Sequence, residues 1–162
     1  MFWLDTDIYL RAKNEAYAFD IAPGFWEIIK RNAKLGKLAS PVLVYDEIAK
    51  GGDELTDWAN GERKSKLFVE PEEKTQKAYT EIAKYVRQAY SPAQAAFFLG
   101  GADAWVIASA LTDKGIVVTH EVLVGMDSKR AKIPNVCKKF GVDFTNCYEM
   151  LRTLKETLHH TA

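Results

Sequence analysis

Four carboxylates stand out in the chain by where they fall. Asp5 directly follows the apolar run Phe2 to Leu4, and Glu121 follows Ile116 to Val118 by way of Thr119 and His120. Asp103 opens the segment ADAWVIASA, and Glu47 lies within VLVYDEIAKGG. On a helix through that last segment Asp46 has Lys50 four residues on, the spacing of a solvent-exposed ion pair. Glu47 has Gly51 there, and Val44 and Leu43 precede it by three and four residues, so it leans toward the apolar face. A carboxylate pointing inward without a cation needs a reason. Carboxylates crowded in one pocket repel, which raises their pKa values and destabilises the fold. A divalent cation removes that penalty, and oxygen ligands without a His or Cys cluster select Mg²⁺ or Mn²⁺. Such a pocket suits hydrolysis of phosphodiesters. Each acid also has an ordinary role open to it: a turn or cap for Asp5, a half-exposed helix charge for Glu47, a helix N-cap for Asp103, a solvated loop charge for Glu121. Taken together, strand-end and inward-leaning acids argue for one acidic pocket.

The elements that must position them follow from the apolar pattern. Phe2 to Leu4 reads as a short buried strand. Pro23-Gly24 punctuates, and FWEIIKRNAKLG carries the helical stripe Phe25, Ile28, Ile29 and Leu35, with Gly36 as a stop. Lys37 to Ser40 is a short strand, Pro41 opens a helix that ends at Gly51-Gly52, and DELTDWANGE is another short helix. LFVEP is a strand closed by Pro71. EEKTQKAYTEIAKYVRQAY is a long helix, acidic at its start and basic later, as the helix dipole favours. AQAAFFLGG is a short helix or loop, and ADAWVIASALTDKG a helix with Gly115 just past its end. GIVVTHE is the best strand in the chain. VLVGMDSKRAKIP reads as a loop, NVCKKFG as a short helix, VDF as a strand and CYEMLRTLKETL as a closing helix. Short buried strands alternating with helices predict an α/β fold, a central parallel sheet with helices on both faces. In such sheets ligands bind beyond the carboxyl ends of the strands, where Asp5, Thr119 and Glu121 fall.

The chain has 162 residues, 48% hydrophobic and 27% charged, which suits a single domain spanning residues 1–162. Lys plus Arg number 22 and Asp plus Glu number 22, so no bulk positive charge is available for coating nucleic acid, although a local basic patch is. Cys137 and Cys147 lack ligand spacing and are expected as reduced thiols in the packing. Asp5 and Asp7 interrupt the first apolar stretch, so no secretory signal is expected there. The apolar region from Pro92 to Leu111 is broken by Gln94, Gly100-Gly101 and Asp103, which argues against a membrane span. A cytoplasmic protein is expected. His159 and His160 are assigned no metal role.

The order Asp5 in LDTD, Glu47 in VYDEIAKG, Asp103 in GADAWVIASA and Glu121 in VVTHE resembles the PIN domain over nearly the whole chain. The blocks LRAKN, FDIAPGFW and KIPNVCKKFGV look like a little-characterised PIN-like subgroup. The resemblance implies a three-layer sandwich in which acids from distant segments bind Mg²⁺ or Mn²⁺. It implies a ribonuclease, many relatives being toxins of toxin–antitoxin pairs, with RNA as substrate and a cognate antitoxin as partner. It leaves a homodimer open. Carried over by residue, Asp5, Glu47, Asp103 and Glu121 would be catalytic, with Asp5, Asp103 and Glu121 on the metal and Thr6, Asp7 and Thr119 supporting them. Asp7 stands where the family often has Asn, and Glu121 where it often has Asp. Asp7 is expected in a turn or as an outer partner of the site.

Two basic clusters bear on substrate. Arg63, Lys64 and Lys66 read as solvated surface, whereas Lys129, Arg130 and Lys132 follow Glu121 and are candidates for phosphate contact. Two rival readings are a PIN-like binding module without activity and a haloacid-dehalogenase-like phosphatase, in which Asp5 would be nucleophile and Asp7 acid/base. The second lacks that family's later pair of acids, since GADAW offers one Asp.

Overall fold

The computed structural model describes residues 1–125 and 127–158. His159, His160 and the loop residue Met126 lie outside the described residues. Five strands, β1 (Phe2–Leu4), β2 (Leu38–Pro41), β3 (Phe68–Val69), β4 (Ile116–Val118) and β5 (Asp143–Thr145), form one parallel sheet in the order β3-β2-β1-β4-β5. The helices among the described residues are α1 (Thr6–Asn14), α2 (Pro23–Lys34), α3 (Val42–Ile48), α4 (Glu54–Glu62), α5 (Glu73–Ala89), α6 (Pro92–Leu99), α7 (Asp103–Asp113), α8 (Ile133–Phe140) and α9 (Cys147–Thr153).

β1 lies at the centre, and all three of its residues are buried, as an interior parallel strand requires. Its register pairs Phe2, Trp3 and Leu4 with Ile116, Val117 and Val118. The chain leaves β1 toward β2 and β3, then crosses back over β1 to β4 and β5. Parallel crossovers are right-handed, so reversing direction places the helices before β4 on the face opposite those before β2. That single reversal produces the three layers. α7 packs across β1, β2 and β4 and beneath α5, while α2 packs on β2. The reversal also makes the gap between β1 and β4 the switch point of the sheet, where two connections diverge and leave a crevice.

The structure differs from the sequence expectations in ways with identifiable causes. Asp7 lies in no turn: the strand-to-helix connection is the single residue Asp5, and α1 begins at Thr6. Ile8, Tyr9 and Ala12 form the buried face of α1, a helical spacing that the strand reading of the flanking residues obscured. Pro23-Gly24 is the first turn of α2 instead of a break before it, since proline tolerates a helix N-terminus. Asp46 and Lys50 are both exposed, and no ion pair joins them among the described residues. α7 ends at Asp113, with Gly115 just past its end as expected, and Lys114 takes the left-handed conformation. Both cysteines are free and buried, and burial pushes their thiols up to about 12, so they act as packing groups. Among the described residues no single helix is long and apolar enough to cross a membrane, and the apolar pair α6 and α7 is bent by 66°.

Gly115 is required for space. A Cβ there would lie 2.7 Å from the Met1 carbonyl oxygen and 3.0 Å from the Trp3 ring, at the start of the β1–β4 pairing. Gly115→Ala is expected to destabilise the fold by about 1–3 kcal/mol through this overpacking. Urea denaturation measures it, and an unchanged midpoint would mean the two strands separate freely at that end.

Candidate active site

The carboxyl ends of β1 and β4 carry the first two acids. Ladder bonding continues one residue beyond each strand, with Asp5 N–H donating to the Val118 carbonyl at 3.0 Å and Thr119 N–H to the Thr145 carbonyl at 3.0 Å. Asp5 is thereby fixed by sheet hydrogen bonds as well as by α1 behind it. Its Oδ2 accepts from the Thr119 hydroxyl at 3.0 Å, and that hydroxyl accepts from Glu121 N–H at 3.1 Å. A second buried bond set supports the carbonyl just before Asp5. Ser40 Oγ donates to the Leu4 carbonyl at 2.8 Å and lies 2.8 Å from the Tyr9 hydroxyl, which therefore donates to it.

The other two acids arrive on helices. Asp103 is the first residue of α7, makes no cap bond, and has no hydrogen-bond donor for its side chain among the described residues. Glu47, on α3, performs the capping: Oε1 accepts from Ala102 N–H at 2.8 Å, and Oε2 accepts from the Thr6 hydroxyl. Gly101 makes that approach possible, because a Cβ there would stand 2.6 Å from Glu47 Oε1. Glu121 has a parallel role at α8. Its Oε1 accepts from Lys132 Nζ at 2.7 Å and its Oε2 from Ile133 N–H at 2.7 Å. A carboxylate at a helix N-terminus is favoured by the exposed amides and the helix dipole.

Asp5, Thr6, Asp7, Glu47, Asp103 and Glu121 all line one cleft of about 520 Å³. Lys132 lines it too, whereas Lys129 and Arg130 are exposed on the preceding loop and are not part of its wall. Asp7 faces the rim and pairs with Arg11 at 2.9 Å. Four further wall residues, Leu10, Arg11, His120 and Val122, were not singled out from the sequence. Nothing in their local pattern marks them, because α1 and the turn after β4 become neighbours only when the sheet forms.

Burial is the main electrostatic fact of the cleft. It raises the Asp5 carboxyl to about 7, against the lowering effect of the Thr119 hydroxyl, with the charges of Glu121 and Asp7 adding to the rise. Asp103 is raised to about 8, first by burial and then by the charges of Asp5, Glu121 and Glu47, with Lys132 opposing. Burial, with Arg11 adding, holds His120 below its ordinary imidazole value.

The donor set suits a hard divalent cation: the acids offer only oxygen, and two of them are costly to ionise without a positive charge beside them. In the arrangement described, no three carboxylate, imidazole or thiol groups converge as a ligand set among the described residues. Both oxygens of Glu47 and both of Glu121 are engaged by protein donors. Asp5 and Asp103 are the pair left facing the cleft.

Comparison with known families matches residues 2–158 to the family described as Domain of unknown function (DUF4411). The chain belongs to that family. Comparison with curated proteins gives no match. Among solved structures the chain is similar to one described as "Crystal structure of VapBC2 from Rickettsia felis bound to a DNA fragment from their promoter", with TM-score 0.54 and 16% identity. The likeness covers 90% of this chain and 97% of that one. At that identity it speaks to the fold, which is PIN-like: a parallel sheet between two helical layers.

The raised carboxyls of this DUF4411 chain set the sign of its pH response. Both folded-state values lie above the ordinary value of about 3.9 for an exposed Asp. Their contribution to stability is therefore complete below about pH 4 and is lost as the pH rises through 7 to 8. Asp103→Asn, which cannot ionise, is expected to raise the melting temperature of the metal-free protein by roughly 5 °C at about pH 9 and to change it little at about pH 4.5. Scanning calorimetry in EDTA at the two pH values checks this. A gain of equal size at both would exclude ionisation as the cause.

Proposed function

We propose that this chain is a metal-dependent ribonuclease that hydrolyses RNA phosphodiester bonds, acting as the toxin of a toxin–antitoxin pair. The observation that carries the reading is the meeting of Asp5 and Asp103, both made costly to ionise by burial, in an open cleft at the switch point of the sheet. The PIN resemblance of the four acids and the PIN-like fold support it.

Asp5 and Asp103 would hold Mg²⁺ or Mn²⁺, with Glu121 joining them through Oε1 once Lys132 releases it. When bound, the cation supplies Lewis acidity at the attacked phosphate and makes water a usable nucleophile near neutral pH. Thr119 orients the Asp5 carboxylate by its hydroxyl. Glu47 holds the N-terminus of α7, and through it the position of Asp103. Lys132, on the cleft wall beside Glu121, supplies a positive charge that can exchange its carboxylate partner for a substrate phosphate. Lys129 and Arg130 extend that charge along the loop for phosphates flanking the scissile bond.

The inhibitor of such an enzyme would place a cation such as Arg among the acids, where a desolvated charge pair is strong. Toxin function predicts arrested growth when the wild-type chain is expressed alone and rescue by Asp5→Asn. The phosphatase alternative is weakened by Asp7, which lies in the first turn of α1, is partly exposed and is paired with Arg11.

Incubation with a pool of cellular RNA is expected to give cleavage with Mn²⁺ and none in EDTA. Asp5→Asn and Asp103→Asn should each lower the rate by at least about a hundredfold, the scale of losing one transition-state contact of this kind. Asp46→Asn, exposed on α3 and not part of the cleft wall, is the matched control and should cleave as wild type. Cleavage that persists in EDTA, or survives in either variant at saturating Mn²⁺, removes the mechanism. A chain that binds RNA without cutting it in Mn²⁺ supports the inactive binding module instead.

Replacing Lys129, Arg130 and Lys132 by Ala is expected to weaken RNA binding and to lower the slope of affinity against salt by about two to three. Affinity measured at several salt concentrations decides it. A slope equal to wild type would mean the substrate path runs elsewhere.

A further inference from the structure

An aromatic row runs from the core to the rim of the acidic cleft. Tyr17 is stacked on the buried Phe25, with ring centroids 4.4 Å apart and planes within 3°. Tyr148 sits 6.4 Å from Tyr17 and 6.5 Å from His120, which is itself a wall residue of the cleft. The placement follows from topology. Tyr148 lies in the first turn of α9, directly beyond the carboxyl end of β5, and His120 lies two residues beyond β4, the neighbouring strand. Both therefore emerge at the edge that carries Asp5.

Tyr148 is 49% exposed although its neighbours on the inner side are packed. Its ring lies against Tyr17 and His120 in tilted and edge-on contacts, and neither ring is stacked flat on it. Val122 and Leu10, 71% and 41% exposed, add apolar surface to the cleft wall, and Arg11 supplies a cation near His120. Apolar rings held at the mouth of a charged cleft fit a ligand that is flat and apolar on its faces and anionic along its backbone. An unpaired nucleotide has that chemistry. Its base can stack on tyrosine or histidine while its phosphate enters the cleft. A base in a duplex has both faces covered by its neighbours and cannot do so.

We infer that Tyr148 and His120 form a base-stacking subsite that takes an unpaired nucleobase adjoining the scissile phosphate. This rests on the ribonuclease reading of the cleft and adds two substrate-contacting residues to that same site. Stacking tolerates any base, so the subsite does not select sequence.

The test uses the full chain with Mn²⁺ and a 2′-O-methyl oligoribonucleotide carrying one 2-aminopurine, offered single-stranded or annealed to its complement. The wild type is expected to bind the single strand at least about tenfold more tightly than the duplex and to quench the 2-aminopurine emission. Tyr148→Ala should weaken single-strand binding by about tenfold and abolish the quench, whereas Tyr148→Phe, which keeps the ring, should preserve both. Equal single-strand affinity in wild type and Tyr148→Ala overturns the subsite alone, as it would if a protein partner covered the ring instead of a base. Equal affinity for strand and duplex also overturns it. Failure of the wild type to bind either RNA overturns the subsite together with the ribonuclease reading beneath it.

Discussion

Two aspartates that burial makes hard to ionise govern this structure. Asp5 and Asp103 come from distant segments of the chain and meet beside β1 and β4, where burial is the largest cause of their raised proton affinity. A fold gains nothing from such a pair unless something of opposite charge comes to it. Its presence is maintained by the backbone: Asp5 is bound into the sheet through its own N–H, and Asp103 is carried on the first turn of a helix packed across three strands. Neither can swing into solvent without disturbing the core. The electrostatic cost is thus held in place by hydrophobic packing, as in many sites that trade stability for function.

The other two acids solve a different problem. Glu47 and Glu121 each bond a backbone N–H at a helix N-terminus, Ala102 before α7 and Ile133 in α8. Orphan amides at helix starts favour negative charge, so these carboxylates sit comfortably where Asp5 and Asp103 do not. The consequence is a division of labour within one cleft. Two acids are electrostatically loaded and face the opening, and two acids pin the helices that shape it. Lys132 adds the one cation within bonding distance of Glu121 among the described residues, and it lowers the charge that Asp103 experiences.

Much of this was legible in the residues. The four acids stand out because Asp5 and Glu121 follow β-branched or apolar strands and because Glu47 lacks an i+4 cation, and all four line the same cleft. Strand order was not legible, because three-residue strands carry no information about their neighbours. α1 is hidden in the sequence because the helix follows an apolar strand with only Asp5 between, so its buried face, Ile8, Tyr9 and Ala12, reads as part of the same apolar stretch. The expected Asp46–Lys50 pair did not form, since spacing only permits such a pair and solvent offers both groups an alternative.

What the sequence by itself determined is the alternation of short buried strands with helices, and the placement of acids at strand and helix termini. Both are local consequences of periodicity and of residue type. What only the tertiary structure decided is which acids bear the cost of burial and which are stabilised as helix caps. Gly101 admits Glu47 to Ala102 N–H across a separation of 55 residues, and β4 brings Thr119 to Asp5 across 114. Desolvation and carboxylate pairing depend on distance in space, and spatial neighbours this far apart in the chain become defined only when the sheet closes around β1.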